Sequence, residues 1–276
     1  MKKWLKNSFV LMAATLSLTT PLLGEGLLGG FFSPCCNNGP LNCGALSVEL
    51  KGGVTPTHYS GRGDTYVTIP VLTPPVVNIG RGPKFDDQFN TPWQIGVELG
   101  WNASTNVQLF LEYVYNHASS KSDSFDIAQT RFGRRFDDFK TNSLYLGTKY
   151  YFNNIWCSPC MGSVAPFIGF KGGFVWHERV RSSLRVGGTT ITSYTHYDNE
   201  SALSAGLQLG VEWFYNCHLS VALTGEVVGT QPHRSNRHVN LTNIPVFEEL
   251  GVTSINCGHT GKLISYPVTL GVRYTF

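Results

Sequence analysis

Residues 268–276 read VTLGVRYTF and alternate between apolar side chains and small or polar ones. Successive side chains of a β-strand point to opposite faces, so one face of this segment is apolar and the other carries Arg273. A strand at a chain end stays ordered only if neighbours hold it, and Phe276 places an aromatic ring where this one stops. The sequence therefore predicts a paired terminal strand that ends at an apolar rim.

Seven other segments show the same alternation, with no charge on the apolar face. Together with the terminal segment they span residues 46–54, 93–101, 107–115, 144–152, 164–176, 203–215, 219–227 and 264–276. No helical period and no internal repeat divides the chain. The pattern predicts an all-β fold with about eight strands in one domain.

The opposite face of these strands carries the charged side chains. They are Glu49, Lys51, Glu98, Glu112, Lys149, Lys171, His177, Glu212, Glu226 and Arg273. A soluble β-sandwich would show the same alternation with its charged face in water, so alternation alone does not decide the class. If that face is enclosed, unpaired charges are costly, and we expect all of these residues except His177 to form an ion network. The expected pairs join Glu98, Glu112 and Glu212 to Lys149, Lys171 or Arg273.

The connections between strands separate the two classes. Those after the second, fourth and sixth strands are short, reading NAST, NNIWCSPCMG and NC, whereas those after the odd-numbered strands are long. This rhythm is typical of barrels that cross bacterial outer membranes.

The aromatic residues gather near the strand ends, as in the two girdles of such barrels. The short-turn end would hold Trp101, Tyr150, Phe152, Trp213, Tyr215, Tyr274 and Phe276, and the long-loop end Trp93, Tyr113, Tyr115, Phe174, Trp176 and Tyr266. Rings that plug the ends of a soluble sandwich are the alternative, but that alternative does not explain why rings avoid mid-strand positions.

The start of the chain and the composition agree with export. Lys2, Lys3 and Lys6 precede an apolar run over residues 9–18, which is the layout of a secretory signal peptide. Only 14% of the residues are charged, against about 25% in ordinary soluble domains, and no basic cluster indicates nucleic acid. We predict a signal peptide over 1–24, a cysteine-rich periplasmic segment over 25–44 and a barrel over 45–276, with no cofactor.

The signal sequence, the strand and loop rhythm and the terminal GVRYTF resemble the OmpA/OmpX-type outer-membrane barrels. The resemblance implies a closed, antiparallel, up-and-down transmembrane β-barrel with both termini in the periplasm. It also implies that Phe276 is the signal read by the barrel assembly machinery. A ten-stranded version stays open, because TYVTIPVLTPPVVNI, residues 65–79, could form an added hairpin or pair above the membrane. PCCNNGPLNC, residues 34–43, more faintly resembles cysteine-cross-linked outer-membrane proteins of chlamydiae.

Six cysteines are expected at the periplasmic end, where thiols oxidise. They are Cys35, Cys36, Cys43, Cys157, Cys160 and Cys217, while Cys257 lies alone in the last long loop. Their connectivity cannot be deduced from the sequence, but we expect the N-terminal segment to be joined to the CSPC turn, with some bonds to neighbouring outer-membrane chains. A zinc site built from CSPC and CC is the alternative.

Few residues indicate catalysis or metal binding. His117 and Ser119 resemble the H-x-S pair of the outer-membrane lipid A deacylase, although NHASSKSDS also has the composition of a polar loop. The loop histidines His233, His238 and His259 match no metal-ligand spacing. We therefore predict no catalytic residue and no metal site.

The first long loop contains SGRGD, residues 60–64. Arg62, Gly63 and Asp64 resemble the RGD motif of adhesins, which implies contact with a host-cell receptor, and a solvated glycine-flanked turn is the alternative. The predicted function is an outer-membrane barrel with a structural role and a surface-contact role through its long loops. A porin with a small channel and a lipid-modifying enzyme are the alternatives. The expected partners are membrane lipid, the assembly machinery, disulfide-linked neighbours and a host receptor.

Overall fold

The protein is described from a computed structural model. The described residues are 40–59, 64–68, 70, 76–81, 84–127, 130–158, 162–197, 201–231, 238–240, 242, 248, 251–256 and 262–276. Among them, the helical segments include none long and apolar enough to cross a bilayer.

Eight long antiparallel strands close on themselves into a barrel. They are β1 (Leu46–Val54), β2 (Trp93–Asn102), β3 (Val107–Ala118), β4 (Phe139–Tyr151), β5 (Gly162–His177), β6 (Ser201–Phe214), β7 (Leu219–Thr230) and β8 (Val268–Thr275). Each strand pairs with the next in the chain, and β8 returns to pair with β1. The predicted all-β class, the closure and the number of strands are confirmed.

The alternation in the sequence sets which way each side chain points. The apolar positions form the outer surface, where Leu207 is 58% exposed, whereas the intervening positions are buried in the lumen. Glycines make room for large rings inside: a Cβ at Gly147 would overlap the ring of Phe110 on the neighbouring strand. The predicted aromatic residues lie on the outer surface, mostly toward the strand ends, but Tyr113 was misplaced because it lies in the middle of β3.

The terminal strand is shorter than predicted. Residues 264–276 were expected to form one strand, but β8 begins at Val268, and Leu263–Ser265 is a separate short strand that pairs with β7 and with Thr57–Tyr59. Pro267 lies at the break, where it has no backbone N–H to donate to a ladder. Its carbonyl instead accepts a hydrogen bond from the backbone N–H of Glu226 at 2.9 Å.

Two four-stranded sheets lie in the connections at the long-loop end, which we call the loop end; the opposite end is the turn end. The first, named the outer sheet, contains Ser122–Ile127, Thr130–Phe136, Val180–Val186 and Thr189–Tyr197. The second contains Asp64–Thr68, Val76–Arg81, His238–Asn240 and Ser254–Asn256. The hairpin in residues 65–79 thus pairs outside the barrel, and the ten-stranded alternative is wrong.

Both mouths of the barrel are covered by apolar clusters. At the loop end, the cap consists of Phe85, Phe89, Ala118, Phe136, Phe139, Val180 and Leu263. Its first two rings come from α1 (Phe85–Gln88) and the residue after it. At the turn end, the floor consists of Leu41, Tyr151, Ala165, Phe167 and Ala222. The short strand Trp156–Ser158 extends the sheet beside β5 at this end.

Candidate functional site in the barrel lumen

The nine charged residues expected to form a network all lie in the lumen. Every one of the eight strands contributes at least one of them, and β1 contributes both Glu49 and Lys51. All nine are at most 5% exposed. The alternation makes this unavoidable, because each of these residues occupies the face opposite to the apolar belt.

At the turn end, Arg273 is the hub of the network. Its guanidinium contacts Glu49 at 2.7 Å and Glu212 at 2.9 Å, and its Nη1 donates to the Tyr151 hydroxyl at 2.7 Å. The Tyr151 hydroxyl in turn donates to Glu212 at 2.6 Å. Planar guanidinium groups suit this role because they hold several oxygens at once.

Lysines continue the network toward the loop end. Lys149 contacts Glu49 at 3.3 Å and Glu98 at 2.6 Å, and Lys51 contacts Glu98 at 2.8 Å. Lys51 also reaches Glu112 at 2.7 Å.

Lys171 completes the chain of contacts. Its Nζ lies 2.8 Å from Glu112 and 2.5 Å from Oε2 of Glu226. The order along the lumen is Glu212, Arg273, Glu49, Lys149, Glu98, Lys51, Glu112, Lys171 and Glu226, so the charges alternate in sign.

A chain that alternates and has glutamate at both ends carries one uncompensated negative charge, since five carboxylates face four cations. The two ends differ in their surroundings. Glu212 accepts hydrogen bonds from Tyr151 and Ser220. Oε2 of Glu226 has only the Lys171 ammonium beside it among the described residues, and its Oε1 has no hydrogen-bond partner there. The side-chain amide of Gln208, directly opposite Glu226 on β6, is likewise without a partner among those residues.

A cavity of about 50 Å³ lies between Glu226 and the cap. Its wall includes Glu226, Lys171, His177, Thr141 and Ser143, and the cap residue Phe139 lies over it. A space of this size accommodates one or a few water molecules, each occupying about 30 Å³ in the liquid, and the polar side chains in its mixed lining can bind them. In the described lumen, side chains fill the turn end, and a small cavity with a mixed polar and apolar lining lies at the loop end.

The residues considered for catalysis are not joined as a catalytic pair. Nε2 of His117 lies 3.3 Å from Oδ2 of Asp138, but its buried Nδ1 has no hydrogen-bond partner among the described residues. The hydroxyl of Ser119 instead accepts a hydrogen bond from Asn90 at 2.8 Å. A serine nucleophile requires a hydrogen bond to its base, so this geometry does not supply the activated hydroxyl that a deacylase needs.

The cysteines fall into three groups. Cys43 has a free, exposed thiol whose Sγ lies 3.7 Å from the carbonyl of Ala103, so its expected place among the bonded cysteines is not supported. Cys157 and Cys217 lie in the connections after β4 and β6, both at the turn end. The remaining four cysteines lie outside the described residues.

The other predicted sites are only partly described. Phe276 is 54% exposed, its backbone N–H donates to Leu46, and its ring packs against Tyr274 at 5.1 Å. Arg62 and Gly63 of the RGD motif lie outside the described residues, and Asp64 begins a strand of the second loop-end sheet. His233 and His259 also lie outside the described residues, and His238 begins the short strand His238–Asn240. The described residues contain no cluster of His, Cys, Asp or Glu able to hold a metal ion.

Sequence reasoning missed two features of the lumen. Tyr151 belongs to the network, and its inward position two residues after Lys149 could have indicated this. The cap was also missed, although FDDQF places Phe85 and Phe89 one helical turn apart within a loop, which is a signal for a packed turn.

Comparisons with solved structures concern the fold alone. Neisserial surface protein A is 12% identical, with 84% of this chain and 97% of that chain covered and a TM-score of 0.41. Ail of Yersinia pestis is 10% identical over 84% of this chain and 100% of its own, with a TM-score of 0.39. OprG of Pseudomonas aeruginosa is 11% identical over 84% and 98%, with a TM-score of 0.44. No family model and no curated protein matches the sequence.

Proposed function

We propose that the protein is an integral outer-membrane β-barrel with a closed lumen, whose role is structural and whose loop end contacts the surroundings of the cell. The observation that carries the proposal is the division of the wall: an uncharged apolar belt is exposed, and an alternating chain of charges is buried. In this proposal both ends of the barrel sequence face the periplasm, and the assembly machinery recognises the strand that ends in Phe276.

The belt supports a membrane location because so large an exposed apolar surface is unfavourable in water. Large apolar side chains are exposed all around the barrel, including Leu46, Ile95, Leu146, Phe170, Leu209, Leu223 and Leu270. Soluble monomers rarely expose contiguous apolar patches of more than a few hundred Å². A closed barrel satisfies its backbone hydrogen bonds internally, which is the condition for crossing hydrocarbon.

The first test introduces a charge into the belt. Leu207 lies in the middle of β6 and points outward, so Leu207→Arg should cost about 2–4 kcal/mol in lipid and impair insertion. Gln231→Arg, at an exposed position just beyond β7, is the matched control and should insert normally. Flotation with vesicles and the shift in gel mobility between heated and unheated samples report insertion. A wild-type chain that stays soluble in the periplasm would contradict the proposal.

The second test concerns the closed lumen. The wild-type barrel in a planar bilayer should show low or no single-channel conductance, because ion-paired side chains and both apolar clusters fill the path. A steady, large conductance would instead support the porin alternative.

Assembly and surface contact have separate tests. Deletion of Phe276 should slow assembly while leaving the remaining strands unchanged.

Non-reducing mass mapping should find disulfides among the turn-end cysteines and to neighbouring chains, and free thiols at all these positions would contradict that expectation.

Contact with a host receptor through the RGD motif predicts weaker cell attachment to beads coated with Asp64→Glu than with the wild type.

A further inference from the structure

One face of the outer sheet is rich in arginine and hydroxyl side chains. Ser183 lies at its centre, paired with Arg135 on one neighbouring strand and with Ser193 on the other. Arg181 and Arg185 flank Ser183 along its own strand. Because side chains alternate along a strand, all five belong to the same face.

These residues line a pocket of about 490 Å³. Arg181 and Arg185 are about 13 Å apart along the strand, at ~3.3 Å per residue. Arg135 lies diagonally between them, about 7–8 Å from each. The volume is within the range of small-ligand sites, and the spacing allows more than one anionic group to be held at once.

The guanidinium groups of the pocket have no ion-pair partner among the described residues. Two carboxylates, Asp137 and Asp138, line the edge nearest the barrel. Asp138 makes its contacts with other residues: it accepts a hydrogen bond from the backbone N–H of Ser120 at 3.0 Å and pairs with His117. Asp137 accepts the backbone N–H of Arg181 at 3.4 Å. The Nε of Arg185 is buried without a hydrogen-bond partner in the described part of the chain.

The direction of the pocket follows from the opposite face of the sheet. Phe136 and Val180 on that opposite face pack into the cap over the barrel mouth. The arginine face is therefore turned away from the cap. Asp138 ties the pocket to His117, whose ring packs on Trp93 at 5.5 Å. Trp93 belongs to the loop-end girdle, so the pocket lies just beyond the ring of aromatic residues.

Aromatic girdles mark the level of lipid head groups, where phosphates are the principal anions. Arginine binds phosphate through two parallel N–H donors, and neighbouring serine hydroxyls add further donors. We propose that the arginine face binds the phosphate groups of an anionic lipid head group in the surrounding leaflet. This inference rests on the proposed membrane location of the barrel.

The test measures which lipids the barrel retains. The full-length barrel is refolded into vesicles of a neutral phospholipid that also contain either phosphorylated lipid A or its dephosphorylated form. It is then extracted in mild detergent, and native mass spectrometry measures how much of each lipid stays bound. We expect the wild type to retain about tenfold more of the phosphorylated lipid. Arg135→Gln combined with Arg185→Gln should abolish this preference. Lys84→Gln combined with Lys262→Gln removes the same charge from other exposed loop-end positions and should preserve it.

The outcomes separate the site from the membrane location. Equal retention by the wild type and the double arginine variant would overturn the site while leaving the barrel in the membrane. Displacement by a soluble sulfated oligosaccharide, with no preference among lipids, would likewise overturn the lipid assignment. Failure of the wild type to float with vesicles would overturn the proposed function and this inference together. Gel mobility of unheated samples verifies that both double variants are folded.

Discussion

The two halves of the lumen solve the problem of buried charge differently. In the turn-end half, Arg273, Glu49 and Glu212 each have several partners, and Tyr151 fills the gap between them. In the loop-end half, Glu226 has one cation at 2.5 Å, an Oε1 without a hydrogen-bond partner among the described residues, and a cavity beside it. Both halves obey the same alternation, but the charged groups of the first share more partners, even though the Nε of Arg273 has none among the described residues.

We infer that the two halves of the lumen tolerate the loss of a charged side chain to different degrees. Linked hydrogen bonds in a buried network strengthen one another, because each bond polarises the next in a low-dielectric interior. A carboxylate next to a cavity that holds water can be solvated, which lowers the penalty for its excess charge. The dense half adjoins the short turns, and the adaptable half lies under the cap and the long connections.

The largest expected effect comes from removing the hub of the dense half. Arg273→Met should lower the free energy of unfolding by about 3–5 kcal/mol, because Glu49 and Glu212 lose their guanidinium partner while remaining buried. Urea unfolding in lipid vesicles measures the effect. Arg181→Met on the exposed outer sheet is the control and should change stability by about 0.5 kcal/mol or less. An equal loss of unfolding free energy in the two variants would contradict the prediction that the buried hub contributes more to stability than a surface arginine.

The next effect tests the loop-end half. Lys171→Ala should cost about 1–3 kcal/mol, since Glu112 keeps Lys51 and the cavity lets water reach Glu226. The same variant should raise the conductance of the barrel in a planar bilayer, because loss of the Lys171 side chain enlarges the loop-end cavity that it lines. Lys140→Ala, outside the network, should leave conductance unchanged. An unchanged conductance in Lys171→Ala would show that the cap or the floor alone closes the path.

A third comparison uses the two ends of the charge chain. Glu212→Gln should cost about 1.5–3 kcal/mol, because it weakens charged hydrogen bonds to Arg273 and Tyr151. Glu226→Gln should cost about 1 kcal/mol or less, because it removes the uncompensated negative charge and leaves Lys171 paired with Glu112. Chemical unfolding of both variants at one pH gives the difference, and a greater loss for Glu226→Gln would reverse our assignment of the weak end.

The smallest effect lies outside the eight barrel strands. The backbone N–H of Ser120 lowers the pKa of Asp138, and the neighbouring His117 and Lys140 contribute in the same direction. A carboxyl with a lowered pKa stabilises the fold above its unfolded value of about 4, and this contribution disappears as the pH falls through the folded value. Asp138→Asn should therefore cost less than about 1 kcal/mol at neutral pH, and the difference from wild type should vanish in acid. A difference that persists at low pH would contradict the ionic origin.

Much of the fold was predictable because its signal is local. The alternation of residues 203–215 predicts a strand with one apolar face and one polar face. Leu207 lies on the outer face and Glu212 on the lumen face, as predicted. The boundary at Pro267 was missed because the alternation of residues 264–276 continues across the proline. The arginine face of the outer sheet was missed because Arg135 and Arg181 come from different connections, whose register no local pattern reveals.

Which side chains point into the lumen and which form the apolar belt can be derived from the sequence, because that choice depends only on the alternation within each strand. Only the folded barrel shows that Arg273 is shared by Glu49 and Glu212, that Tyr151 joins them, and that Glu226 faces a cavity. Those contacts depend on the register between eight strands and on the closure of β8 against β1. Closure joins residues that are far apart in the chain, so no window of sequence contains the information.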